Sequence, residues 1–332
     1  MPMPESLGLL LVIFTISLYG LMKGADWLIE GASGIARRYG VSELVIGLTV
    51  VAFGTSLPEL VVSVDASLKG NISLAYSNVL GSNLANILLV LGCTAIARPI
   101  HTPTEARRDL PFFALLVITF ATLVTFGVYP FPAPLEGHLF RFDGIVLILF
   151  FGAFIWRILR QKPQAINELA EEESHHLDHL SVSRLGLVVL AGLVLVILGG
   201  DYTVKSAVGI AAQLGVSEST IGLTIVAVGT SLPELVASLV AAGKQKSDLA
   251  VGNILGSNLM NLALVLGCAL ILRPLSLNAF DFIDMIAHTI ISLIFLGLLL
   301  RKGAKPQLSR HIGSIFVIIY IAYMTFIGYR AR

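Results

Sequence analysis

The feature that most constrains this chain is that it repeats itself. At an offset of 175, residues 24–99 align with 199–274 without a gap, and 44 of those 76 positions are identical. Asp26 falls on Asp201, Glu43 on Glu218, Glu59 on Glu234, Asn86 on Asn261 and Pro99 on Pro274. Matching over this length marks an internal duplication, so whatever one half builds the other builds as well.

Composition says in which solvent. The 332 residues are 56% apolar and 13% charged, with a mean hydropathy of +0.87. A soluble domain carries about 25% charged residues. Half of that leaves too little polar surface to cover a globule in water, so the solvent is largely lipid. The net charge of +1 gives no sign of a nucleic-acid partner. The opening Met-Pro-Met-Pro-Glu has no basic region, and no small-residue cleavage site comes after it, so it does not read as a cleaved signal peptide.

Crossing about 30 Å of hydrocarbon takes about 20 apolar residues. Ten stretches qualify, at about 7–30, 41–67, 73–97, 110–129, 139–160, 184–212, 217–242, 248–272, 282–300 and 311–329. The one long polar segment, 161–183, reads as a linker. The expectation is an all-α integral membrane protein of ten transmembrane helices in two five-helix repeats. The first repeat is 1–160 with its core at 41–99, and the second is 184–332 with its core at 216–274. Five is odd, so the second repeat enters the bilayer from the opposite side and the two are inverted. With ten spans, about five basic residues lie on the side of the termini and about fifteen on the other. The positive-inside rule then puts linker 161–183 in the cytoplasm and both termini outside a plasma (inner) membrane. Cys93 and Cys268 read as small buried hydrophobes, and inversion places them too far apart for a disulfide.

The chemistry concentrates in IGLTVVAFGTSLPELVVS (46–63) and its copy IGLTIVAVGTSLPELVAS (221–238). Pro58 and Pro233 lack an N–H and clash with the preceding turn, so spans 2 and 7 are expected to be broken around Gly54-Thr55-Ser56 and Gly229-Thr230-Ser231. Opened backbone in lipid is tolerable only where it lines an enclosed polar site. The carbonyls of Ala52 and Ala227 are candidates to be freed there as ligands. Glu59 and Glu234 would sit at mid-membrane, where a carboxylate costs about 2.5–3.5 kcal/mol and marks an ion or proton path. The plainer role, pairing with a buried cation, lacks a partner: the nearest basic residues, Lys69 and Lys244, stand ten positions away.

SNVLGSNLANILL (77–89) and GNILGSNLMNLAL (252–264) come next. Ser82 and Asn86, like Ser257 and Asn261, are one helical turn apart on a common face. Helix packing is the ordinary use of such residues, but their repetition beside the Glu motif favours ligands. The inventory is all oxygen, without sulfur or imidazole. It suits a hard cation such as Ca²⁺, which takes about 6–8 oxygens, and Na⁺ or a proton is served by the same groups.

These residues resemble the sodium/calcium exchangers of the cation/Ca²⁺ antiporter superfamily. The GTSLPE…GSNxxN pairing is similar to that family's two repeats, and the likeness covers both duplicated cores. It implies alternating access, with Na⁺ entry driving Ca²⁺ outward and no cofactor beyond the transported ions. It implies Glu59 and Glu234 as central ligands. Thr55, Ser56, Ser82 and Asn86 would join them from the first half, and Thr230, Ser231, Ser257 and Asn261 from the second, with the carbonyls of Ala52 and Ala227. Many members carry Asp where this chain has Asn261, so this site would hold two carboxylates instead of three.

A proton-coupled Ca²⁺ antiporter of the same architecture and a passive channel stay open as rivals. An intramembrane enzyme finds no supporting constellation of residues. The lipid bilayer is the one expected partner besides the ions. Elsewhere, Asp26/Asp201 and Glu43/Glu218 read as interfacial anchors or helix caps, with Glu43 after Ser42 favouring a helix N-terminus. Asp65, six residues past Glu59, should face away from it. His175, His176 and His179 read as a solvated loop, and Asp284 with His288 as a weak proton-sensitive pair one turn apart.

Overall fold

Long apolar sequences in lipid satisfy their backbone groups internally, and they form helices here accordingly. The computed structural model describes residues 6–100, 106–126, 137–160, 180–216, 227–301 and 308–330. Most of the linker, with His175, His176 and His179, lies outside them, as do residues 217–226.

Helix α1 (Leu7–Tyr39) is followed by a bent pair, α2 (Glu43–Thr55) and α3 (Leu57–Leu68), which meet at 47°. Then come α4 (Ile72–Ala97), α5 (Ala106–Phe126), strand β1 (Gly137–Leu139) and α6 (Arg141–Leu159). The second half holds α7 (Val182–Gln213), the single turn Ala227–Gly229, α8 (Leu232–Gly243) and α9 (Ser247–Leu272). It closes with β2 (Leu275–Leu277), α10 (Ala279–Leu300) and α11 (Arg310–Arg330). Among the described residues eight of these helices are long and apolar enough to cross a membrane singly, and the bent α2–α3 pair, counted as one span, brings the number to nine. This is a multi-pass membrane protein.

The expected break falls at Ser56 (φ −87°, ψ 4°), and Pro58 opens α3 as one of its first residues, where a missing N–H costs nothing. One expectation is corrected. The carbonyl of Ala52 is not freed: it accepts the Ser56 N–H at 3.0 Å and lies 3.3 Å from the Thr55 hydroxyl. Proline at 58 removes the donor for residue 54, so the turn through residue 56 stays closed.

Packing depends on glycine at two seams. Along α1 and α7, a Cβ on Gly192 would stand 2.7 Å from the Leu28 nitrogen, and one on Gly199 2.7 Å from that of Leu21. Along α2 and α9, a Cβ on Gly252 or Gly256 would meet the carbonyl of Leu44 or Leu48 at 2.5 Å. Without a hydrophobic drive between helices in lipid, such backbone contact is what holds them. The two halves also join at their ends. Strand β1 pairs antiparallel with β2 in the register Gly137↔Leu277, and Ile100 bridges to Leu308. The outer helices turn apolar side chains outward, as in Leu149 (66% exposed) and Ile318 (64%), which is the surface lipid would cover.

Candidate ion-binding site

Each half contributes two elements, and they cross over. Helix α3, with Glu59, packs on the Met260–Val265 segment of α9, and α8, with Glu234, packs on Asn86–Val90 of α4. Both of those segments are π-helical turns, and a third, Gly47–Val51, precedes the break in α2. A π turn adds one residue to the helical repeat and re-aims the side chains beyond it; such turns recur at functional sites. Here Asn86 opens one and Asn261 lies at the start of another.

The two carboxylates are fully buried. No basic residue answers either among the described ion pairs. Ser56 Oγ donates to Glu234 Oε1 at 3.3 Å across the repeat boundary. The Thr55 hydroxyl lies 3.2 Å from Asn253 Oδ1 and 3.4 Å from Ser257 Oγ.

What stands out is what has no partner. Both oxygens of Glu59, Oε2 of Glu234, the hydroxyls of Ser82 and Ser231, and the amide oxygens of Asn86 and Asn261 are buried without a hydrogen bond. Each such group costs about 1–3 kcal/mol, more for a charged one. Natural proteins keep few of them, and a cluster signals a function or a place for an ion. These seven oxygens belong to six of the residues singled out from sequence. A cation shared among them removes the cost, and the donor set fits one.

Of the other expected residues, Thr55, Ser56 and Ser257 are buried with the carboxylates, whereas Thr230 is only half-buried. Ala227 begins the single helical turn before α8. Asp65 is exposed and pairs with Lys69, facing away as its spacing requires. The two cysteines are free. Asp26 and Glu43 do more than anchor or cap: Asp26 pairs with Lys244 at 2.5 Å and Glu43 with Lys246 at 3.0 Å. His288 does not pair with Asp284. Its Nε2 lies 3.2 Å from Asn83 and its Nδ1 has no partner, while Asp284 accepts from Tyr323.

A second polar layer behind these residues was not foreseen. Asn78 donates to Ser63 at 3.0 Å, and Asn253 to Ser238 at 3.1 Å. Asn86 Nδ2 donates to Asn258 Oδ1 at 3.1 Å, which leaves the Asn86 oxygen turned elsewhere. The signal was present: Ser63/Ser238, Asn78/Asn253 and Asn83/Asn258 are all identical across the repeats, and a polar residue kept twice inside an apolar span is held by something.

A multi-pass membrane bundle with two unpaired carboxylates, amides and hydroxyls converging at its centre defines an ion transporter. Comparison with known proteins makes this specific. The profile of the family described as "Sodium/calcium exchanger protein" matches residues 9–160 and 185–329. The chain is 33% identical to the sodium/calcium exchanger MaX1 of Methanosarcina acetivorans, over 96% of this chain and 98% of that one. It is 34% identical to the inner membrane protein YrbG of Escherichia coli, over 96% and 93% respectively. Its fold superposes on the solved sodium-calcium exchanger NCX_Mj with a TM-score of 0.80 at 30% identity, over 96% of this chain and 99% of that one. The chain belongs to the sodium/calcium exchanger family, in its prokaryotic branch. That is a family of cation/Ca²⁺ antiporters, which are transporters and not enzymes.

Proposed function

We propose that this protein exports Ca²⁺ across the inner membrane in exchange for Na⁺, by alternating access to one site between Glu59 and Glu234. The observation that carries the proposal is the set of seven unpaired buried oxygens on six expected ligand residues. Two glutamates neutralise one divalent cation, and the number of oxygens matches the roughly 6–8 that Ca²⁺ takes. Several Na⁺ ions would satisfy the same groups in turn. Thr55, Ser56 and Ser257 complete the set, and Thr230 would join on closure. With the single Thr55 proton given to Asn253, the Ala52 carbonyl keeps a lone pair for an ion, and Ala227 would act likewise. No cofactor is needed for this cycle.

The proposal keeps the ten-span layout: two inverted five-helix repeats, 1–160 and 184–332, around the cytoplasmic linker 161–183, with both termini outside. In that frame α2 and α9 meet on the cytoplasmic side, where the glycine seam and the Lys244 and Lys246 pairs close the path. The matching face of α4 lies on the outer side and, among the described residues, is open, with Ser77 exposed and nothing within 4 Å of a Cβ at Gly81. An outward-open state with the ligands preassembled fits both facts.

A second reading is favoured by one residue. Asn261 leaves two carboxylates in the site, and among the described residues no third His, Cys, Asp or Glu joins them. Proton coupling requires no more than those two. Isotope flux in proteoliposomes separates the readings: ⁴⁵Ca²⁺ uptake should follow an imposed Na⁺ gradient and stall without it. Uptake that ignores Na⁺ and follows a pH gradient selects the proton-coupled form, and flux needing neither gradient marks a channel. Glu59→Gln and Glu234→Gln should each abolish transport; robust uptake by either variant removes the central claim.

A further inference from the structure

Behind the amide layer lies a small cavity between α4, α5, α9 and α10, and the repeats line it unequally. Carried on at the same offset, the duplication sets Phe113 against His288 and Val117 against Ser292. All four line this cavity together with Asn83 and Asn258. Three of its helices offer apolar or amide groups there; α10 alone offers an imidazole, fully buried and edge-on to Phe120.

The hydrogen-bond chemistry of this histidine is determined by its neighbour. Asn83 Nδ2 donates to the main-chain oxygen of Asn258 at 3.2 Å and lies 3.2 Å from His288 Nε2. An amide nitrogen has two protons and accepts nothing, so Nε2 is the acceptor and the ring is the neutral Nδ1–H tautomer. Ser292 Oγ also reaches Nε2, at 3.4 Å. A proton on Nε2 would face the Asn83 NH₂ group. The amide would then have to turn its oxygen to His288, and the Asn258 carbonyl would lose its donor.

Asn258 in turn accepts the Asn86 amide through its own Oδ1, which leaves the Asn86 oxygen for an ion. On the opposite side the matching bond is not made: the Asn83 oxygen and both amide atoms of Asn261 have no partner. One ligand amide is thus oriented beforehand and its twin is not, and the side chain that breaks the symmetry is His288. We propose that His288 is a positioning residue for the ion site, acting through Asn83 and Asn258 to hold the Asn86 amide with its oxygen toward the ion. The inference rests on the Ca²⁺ site proposed above.

Among the cavity's lining residues, from all four helices, His288 is the one titratable group. On its own helix Asp284 accepts from Tyr323, and Tyr76 of α4 donates to the Asp281 carbonyl. A change of charge on the imidazole therefore acts first on Asn83. The test is equilibrium Ca²⁺ binding by the full-length purified protein at about pH 8, where the imidazole is neutral. The unaltered protein is compared with His288→Gln, whose amide oxygen still accepts from Asn83, and with His288→Phe, which copies Phe113.

His288→Gln should bind like the unaltered protein, while His288→Phe binds about fivefold more weakly, the size of one buried hydrogen bond. Rescue by the Gln oxygen separates positioning from simple filling of the cavity. His288→Phe binding as tightly as the unaltered protein, or His288→Gln binding as weakly as His288→Phe, overturns the inference. If His288→Phe does not fold, His288→Leu, which likewise offers no acceptor, takes its place in the comparison. Failure of the unaltered protein to bind Ca²⁺ overturns the site itself, and this inference with it.

Discussion

The two halves share 44 of 76 core residues, yet they do not hold the same shape. Around Glu234 the structure is closed: Ser56 donates to the carboxylate, Thr55 is buried, and α9 lies against α2 with backbone almost touching backbone. Around Glu59, among the described residues, neither carboxylate oxygen has a partner, Ser77 and Val61 are exposed, and nothing stands against Gly81 on the face of α4 that matches the covered face of α9. The charges differ in the same sense. Lys244 reaches across to Asp26 and Glu30 on α1, while its counterpart Lys69 pairs only with Asp65, one turn back on its own helix. Asp201, the counterpart of Asp26, likewise pairs with its own neighbour Lys205. Related sequences here take two different shapes. Two repeats with that property, inverted as proposed above, can exchange shapes, which is the physical requirement for exposing one site to two sides in turn.

The sharpest test uses a glycine present in both halves. Gly256→Ala would drive a Cβ to 2.5 Å from the Leu48 carbonyl and 2.6 Å from the Ala52 Cβ, with no flexible chain to yield. Overpacking of this kind costs about 1–3 kcal/mol, so the thermal midpoint should fall by several degrees and Ca²⁺ binding should weaken. Gly81→Ala meets open space and should leave both unchanged. If the halves exchange shapes, however, Gly81 must enter the same seam in the opposite state. Gly81→Ala should then bind Ca²⁺ normally and exchange it at least about tenfold more slowly, since about 1.4 kcal/mol on one state suffices for tenfold. Normal exchange by Gly81→Ala would break the comparison.

A smaller effect is expected at the charges. Burial alone would lower the Lys244 pKa, yet hydrogen bonds to Asp26 and Glu30 more than offset it and hold the ammonium above the ordinary lysine value. That contribution is complete at neutral pH and is lost only as pH rises through the raised value. Lys244→Gln should therefore loosen the closed end at neutral pH and lower apparent Ca²⁺ affinity from the open side by about threefold. Lys69→Gln removes an exposed pair worth about 0–1 kcal/mol and should change nothing in that assay. Equal effects from both would mean the closed end is held by packing alone.

How much of the molecule was legible in the sequence depends on what is encoded twice. The duplication, the multi-pass helical class, the break before Pro58 and the burial of most of the expected site residues were readable because each is a local pattern, repeated. The π turns at Asn86 and Met260 were not, since an extra residue in a helical turn leaves no mark in hydropathy. The fate of the Ala52 carbonyl was misjudged because proline strips the donor from one particular carbonyl, that of residue 54, and leaves the one at 52 bonded to Ser56. Nor could the sequence show which half is closed. That difference lies in the pairing of Lys244 and Ser56 with the other repeat, and identical residues at 69 and 231 make no such pairs. Asp26 and Glu43 looked like caps for the same reason: their partners are about 200 residues away.

The smallest expected effect separates the two serines of the repeated GTSLPEL. Ser56 donates to Glu234, whereas Ser231 has no partner. In the ion-free protein, Ser56→Ala should lose about 1 kcal/mol of stability, the worth of one charge-assisted bond less what water restores. Ser231→Ala should lose none there and could gain slightly, because it deletes a buried hydroxyl that nothing satisfies. Saturating Ca²⁺ should bring the two variants together, for each then lacks one ligand of an occupied site. Thermal unfolding with and without Ca²⁺ reads this directly. If Ser231→Ala is already the weaker variant without the ion, then Ser231 is bonded in the resting state and the two halves are more alike than their geometry indicates.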